Sequence, residues 1–337
     1  TSDDTEVKKK KFTWGGSADV YYRANIGAPN GGENGQTPNT SFANGNGFSI
    51  GMANLILSYE GKKVGAVADL VFGPRGVDAV FGSLQWDIDG DGTADLGNSS
   101  QVVNQLYVYW NVSDRVTLTF GNFNTFLGYE VISPTGNFNY STSYMFSYGP
   151  FSHTGLKMDW AVSDDFSLLL AVMNDNDFTN FNPENTYTLG AQLAYKDIYL
   201  NFLYGYQFQV DLTTGFDITD SFYLGLNATY FEDRDSDASF YGVAIYPKLQ
   251  ISDPFALGFR AEYFAEGDGG VGAIGGYDAD GDANAFEFTL TGNYAIGDLM
   301  IIPEFRIDTT SEDTFLNNDL ESTGSLASFL VAAVYKF

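Results

Sequence analysis

Two stretches of this chain space carboxylates as a hard cation requires. Asp87, Asp89, Asp91 and Asp95 occupy positions 1, 3, 5 and 9 of one string, with Gly92 at position 6. That is the oxygen spacing and turn glycine of the first half of an EF-hand-type calcium loop. Asn98 stands where the bidentate Glu of a full loop would be. Asp278, Asp280 and Asp282, followed by Asn284, repeat the carboxylate spacing, but their glycine falls at position 4. Calcium is therefore the expected cofactor of these loops, set against the plainer reading of solvated acidic turns. Asp233, Asp235 and Asp237 share the spacing, with Arg234 among them and no glycine.

Other chemistries have little to work with. The 337 residues include no Cys and one His, His153. Disulfides, thiolate metal sites and thiol catalysis are excluded, and a Ser-His-Asp arrangement has a single candidate base. An outer-wall hydrolase using His153 with a Ser such as Ser141 is the only enzymatic reading, and the expectation is no enzyme. A net charge of −27 repels phosphates and argues against a nucleic-acid partner.

The elements that carry these residues show themselves by alternation. Phe255, Leu257, Phe259, Ala261 and Tyr263 alternate with Gly258, Arg260 and Glu262. Phe286, Phe288 and Leu290 alternate with Glu287, Thr289 and Thr291, and Phe222, Leu224 and Leu226 with Tyr223, Gly225 and Asn227. A period of two marks strands with two chemically different faces. Short polar turns (Ser113-Asp114-Arg115, Lys196-Asp197, Gly297-Asp298) alternate strictly with longer connections. About sixteen strands fit this frame. An even count puts both chain ends on the short-turn side.

The fold class predicted is all-β: a transmembrane antiparallel up-and-down barrel, with short periplasmic turns and long acidic extracellular loops in the cell outer membrane. Its surroundings are outer-membrane lipid. A propeller would show blade repeats, and a soluble sandwich would not need an apolar face on every strand. Residues 1–11 read as a polar periplasmic tail left after removal of a leader, and 12–337 as the barrel. The final stripe, Phe329 to Phe337, reads as the strand presented to the barrel insertion machinery through Phe337. The long-connection windows hold 24 of the 43 acidic residues and only two basic ones, Arg75 and Arg234.

The face opposite the aromatic stripe predicts the pore lining: Asp19, Arg23, Asp69, Arg115, Lys157, Asp159, Asp211, Asp217, Lys248, Arg260, Glu262, Glu287, Glu304 and Arg306. A charge facing lipid at the midplane costs ~2–4 kcal/mol, so these residues must face water or one another. Residues 124–150 stand apart, rich in aromatics and with one acid, Glu130. Such a loop is expected to fold inward and narrow the channel, with Glu130, Tyr140, Tyr144 and His153 near the opening.

Gly128-Tyr129-Glu130, Asn137-Phe138-Asn139-Tyr140-Ser141 and the run Phe146 to Gly155 resemble the hallmark stretch of the OmpL-like β-barrel porins of Gram-negative bacteria. Leu118 to Phe123 also fits, although Asn122 stands where that family tends to have a basic residue. The hallmark covers about 40 residues. The resemblance implies an outer-membrane diffusion channel and supplies no substrate; the leading expectation is passive passage of small hydrophilic solutes and ions through a water-filled lumen. Eight acidic against six basic lumen candidates, behind an acidic mouth, predict weak cation preference. By analogy with larger porins, a homotrimer is expected. The alternative is a surface scaffold whose calcium-ordered acidic loops dock a lipoprotein or secretion-system partner.

Overall fold

A computed structural model describes residues 11–83, 99–182 and 185–337. The strands are β1 (Lys11–Ile26), β2 (Gly47–Glu60), β3 (Val64–Phe72), β4 (Val103–Ser113), β5 (Val116–Asn124) and β6 (Ser152–Ala161). They continue as β7 (Phe166–Met173), β8 (Thr188–Tyr195), β9 (Ile198–Tyr204), β10 (Gln207–Thr219), β11 (Phe222–Asp233) and β12 (Ser239–Ser252). The last are β13 (Phe255–Gly267), β14 (Ala283–Ile296), β15 (Leu299–Thr310), a two-residue pair β16 (Phe315–Leu316) and β17 (Ser322–Thr323), and β18 (Ser325–Lys336). Apart from the β16–β17 pair, sixteen of these form one closed sheet, in which each strand pairs antiparallel with its chain neighbour and β18 closes on β1. The closure is completed by Phe337, whose N–H donates to the Gly16 carbonyl at 3.0 Å and whose carbonyl accepts from Gly16 at 3.0 Å. No sheet edge is left for lipid to desolvate.

Alternation explains which face looks out. On β1, Phe12, Trp14, Val20, Tyr22 and Ile26 are exposed, while Ser17, Asp19, Tyr21, Arg23 and Asn25 between them are buried. The exposed aromatics form two belts. Tyr22, Phe48, Phe72, Tyr204, Tyr241 and Phe286 lie toward the long connections; Trp14, Tyr59, Trp110, Trp160, Tyr195 and Tyr335 lie toward the short turns. Aromatic girdles of this kind sit at the two membrane–water boundaries. Phe288 and Tyr230 are exposed on the outer face rather than gathered in a dry centre.

Candidate functional site: a lumen divided by one segment

The connection between β5 and β6 lies inside the barrel and sweeps along its wall. It starts at Phe126, whose carbonyl accepts from Gln192 Nε2 on β8 at 3.1 Å. Gly128 N donates to Asp211 on β10 at 2.9 Å, and Tyr129 N to Asn227 on β11 at 3.3 Å. Farther on, the Phe138 carbonyl accepts from Asn293 on β14 at 3.1 Å. The N–H groups of Tyr140 and Ser141 then donate to the two oxygens of Glu304 on β15, at 2.6 and 2.9 Å.

The turn back is a short helix, α2 (Tyr144–Tyr148), capped by Ser143, whose Oγ accepts from Phe146 N at 3.1 Å. A helix start leaves backbone donors without partners inside the helix. Here Glu262 of β13 accepts from Tyr144 N at 2.8 Å and Met145 N at 2.7 Å. Glu130, from the segment itself, accepts from Ser143 N at 2.8 Å.

Two arginines of the wall hold the Ser141 and Thr142 carbonyls. Arg260 donates to the Ser141 carbonyl at 2.7 Å, to Glu130 at 2.6 Å and to Glu287 at 2.8 Å. Arg306 donates to the Thr142 carbonyl at 2.8 Å and forks onto Asp308, with its shortest contact at 2.7 Å. Arg260 and Glu287 are both 0% exposed, so neither charge is tolerable without the other. The wall charges thus satisfy the polar backbone of a segment that would otherwise be stranded away from water.

Glycines shape the wall to the segment. A Cβ at Gly258 would stand 2.2 Å from the Phe138 ring, and one at Gly225 would stand 2.5 Å from Tyr129 Oη. Each glycine is a socket for one aromatic ring of the segment.

The opposite part of the wall is different. Tyr107 and Tyr109 of β4, Thr117 of β5, and Lys157 and Asp159 of β6 face inward and are only partly buried. Lys157 and Asp159 pair at 3.2 Å, with side-chain exposures of 22% and 44%. Toward the short turns, inward Ile56 of β2 and Tyr199 of β9 remain 39% and 38% exposed. Lys248 of β12 is half-buried, its ammonium 4.0 Å from the Tyr223 ring centroid.

The expected pore lining therefore divides. Lys157, Asp159, Asp217 and Lys248 reach open space. Arg260, Glu262, Glu287, Glu304 and Arg306 face inward but are buried beneath the segment; its backbone bonds all of them but Glu287, which Arg260 and Thr289 hold. Asp19 is buried as well, accepting from Met52 N at 3.1 Å and from the Tyr140 hydroxyl. Asp69 is buried among Asn54, Asn104 and Gln105, Asp211 between Asn201 and Asn227, and Arg23 against Asn46. Arg115 is off the wall: it stands exposed in the β4–β5 turn, donating to the Val162 carbonyl at 3.3 Å.

Glu130, Tyr140, Tyr144 and His153 were placed near the opening by their position, yet all four are buried. His153 contacts Thr125 Oγ1 at 3.0 Å between the Phe123 and Phe126 rings, and Ser141 is held by Arg260, so the two do not form a hydrolytic pair.

The calcium-spaced residues Asp87, Asp89, Asp91 and Asp95 lie outside the described residues. At the second string, Asp278 turns its carboxylate onto the N–H groups of Asp280 and Asp282, at 2.9 and 3.0 Å. Those donors hold its carboxyl below the usual range. Among the described residues no three acidic or His side chains converge on a metal position.

Arg75 was missed. It is buried in α1 (Pro74–Ala79), donating to the Ile132 carbonyl at 2.8 Å and the Tyr140 carbonyl at 3.1 Å, with its guanidinium 4.4 Å over the Phe42 ring. The signal available was its isolation: one of two cations in otherwise acidic connections. Asp177, in the β7–β8 connection, accepts from Phe151 N at 2.7 Å and Ser152 N at 3.0 Å, where the segment rejoins the wall. Burial pushes its carboxyl up to about 6.

Comparison with known proteins agrees with this geometry. The DcaP outer membrane channel of Acinetobacter baumannii has a similar structure: TM-score 0.57 at 11% identity, covering 97% of each chain. OmpT of Vibrio cholerae, in a form lacking loop L8, gives a TM-score of 0.56 at 10% identity, covering 97% of this chain and 99% of that one. These likenesses show the fold. No curated protein matches the chain. The family model described as "Putative beta-barrel porin-2, OmpL-like" matches residues 11–337. A closed sixteen-stranded barrel with two aromatic belts and an inward segment, matched by that model over every strand, is an outer-membrane porin of the OmpL-like beta-barrel porin-2 family.

Proposed function

We propose that the chain passes small hydrophilic solutes and ions by passive diffusion, along the part of the lumen that residues 124–150 leave open, with weak cation preference. The observation that supports this is the contrast in exposure across the lumen. Lys157, Asp159 and Tyr199 meet open space, while Arg260 and Glu287 do not. A field acts on a passing ion only from groups it can approach. Of those, Lys157 is neutralised by Asp159, and Lys248 is opposed by the exposed Asp217 and Asp197. The acidic connections add to the same sign. A homotrimer is part of this reading, supported by the trimer form in which OmpT, one of the similar structures, is described.

Purified protein in a planar bilayer tests it. Stepwise conductance, with a reversal potential of cation sign under a KCl gradient, is the expected result. Absence of conductance, or anion selectivity, contradicts it.

A further inference from the structure

Toward the short turns, the segment's track runs past Tyr129, whose hydroxyl meets that of Tyr223 on the wall. A cavity of about 360 Å³ opens there, lined by Tyr129, Asp197, Tyr199, Thr213, Asp217 and Tyr223. Its two carboxylates, Asp197 and Asp217, join no ion pair among the described residues. Both are exposed.

Two of its three rings, Tyr129 and Tyr223, are fixed in place. Gly215 and Gly225 are direct partners across β10 and β11. A Cβ on Gly215 would stand 1.8 Å from Tyr223 Oη, so this pair of glycines forms a notch that only bare backbone permits. Tyr129 and Tyr223 lie in that notch with their hydroxyls 3.3 Å apart, and Tyr129 stacks on Tyr246 with centroids 4.1 Å apart. Such packing holds the rings before any ligand arrives.

We propose that this cavity is a subsite for a small organic cation carrying one ammonium group, held between the tyrosine rings and the carboxylates of Asp197 and Asp217. Ring faces attract cations, and carboxylates that join no ion pair favour them further. The ammonium of Lys248, already resting over the Tyr223 ring, displays the same chemistry from within the chain. Two carboxylates exceed that one cation, so the cavity retains a net attraction. A neutral sugar would use the rings and hydroxyls but would gain little from two ionised acids. The subsite rests on the diffusion reading above and gives its cation preference a place.

The test is the KCl current through the full chain in a planar bilayer, with choline chloride titrated in and glucose as the neutral comparison. Choline is expected to reduce the current saturably and glucose not. Asp217→Asn and Tyr199→Ala should each raise the half-blocking concentration about tenfold. A current that choline does not saturably block, equal block by glucose, or variants that block like the parent would overturn the subsite while leaving the diffusion reading intact. Absence of any KCl current would remove both.

Discussion

Along β13, β14 and β15 the inward charges face a polypeptide segment; on β4, β5 and β6 the inward side chains of Tyr109, Thr117, Lys157 and Asp159 face open lumen. Arg260 on the first wall has six oxygen partners: both oxygens of Glu287, one of Glu130, the Ser141 carbonyl and hydroxyl, and the Thr289 hydroxyl. Lys157 on the second has Asp159 alone. The two walls share one alternating pattern and one fold. What separates them is whether a backbone comes within reach. A buried charge needs partners because it has lost water, and the segment supplies them. A lumen charge that keeps water needs none, and stays available to act on passing ions. In this barrel, counting charges on the inward face therefore overstates the number that can select ions.

Substitutions on the two walls should differ accordingly. The largest effect is expected for Arg260→Ala. It leaves Glu130 buried without its cation, leaves Glu287 only the longer contact with Arg306 at 3.7 Å, and frees the Ser141 carbonyl, a loss of about 3–5 kcal/mol. Urea unfolding in lipid should show that loss, and the single-channel current should rise as the segment loosens. An unchanged midpoint and current would erase the distinction between the walls.

Gly258→Leu comes next. The added side chain must displace the Phe138 ring, at a cost of about 1–3 kcal/mol for overpacking. Phe138→Ala in the same chain should recover much of the stability, which a general strand defect would not allow. On the open wall, Lys157→Ala should change stability by about 0–1 kcal/mol, because its pair with Asp159 is part-exposed. Its reversal potential should shift toward cations, because Asp159 is left uncompensated.

The smallest effect concerns pH. Asp177 titrates near 6 in the folded chain because burial disfavours its charge, above the ordinary value of 3.8. A raised folded value means the protonated form fits the fold better. Its contribution is complete below about pH 4 and is lost as pH rises through 6. Hydrogen exchange at the Phe151 and Ser152 amides should therefore quicken between pH 5 and 7 by more than the intrinsic chemical rate. Asp177→Asn should abolish that excess; an excess that persists would assign it elsewhere.

Much of the barrel was legible in the residue order, because a strand's two faces repeat every second residue and lipid enforces the contrast. Phe255 to Tyr263 illustrates it: the odd positions face out, and Arg260 and Glu262 face in. The inward course of residues 124–150 was legible as well, from their aromatics and near absence of charge. Which wall they would lie against was not. Alternation assigns a residue to a face and says nothing of a partner more than 100 positions away, such as Glu304 for Tyr140. Arg115 shows the complementary error, since alternation continues formally into a turn where no face exists. Arg75 was obscure because its partners are backbone carbonyls, which leave no trace in residue type.

The division of the lumen can be measured directly because the chain has no cysteine of its own. Single variants Lys157→Cys and Thr291→Cys, inserted in lipid and exposed to a membrane-impermeant thiol reagent, place one probe on each wall. Lys157→Cys is expected to react readily and Thr291→Cys, at a position 0% exposed beneath the segment, to stay protected until the protein unfolds. Equal reaction at both positions would contradict the account, since the wall of β14 would then be as open to water as the wall of β6.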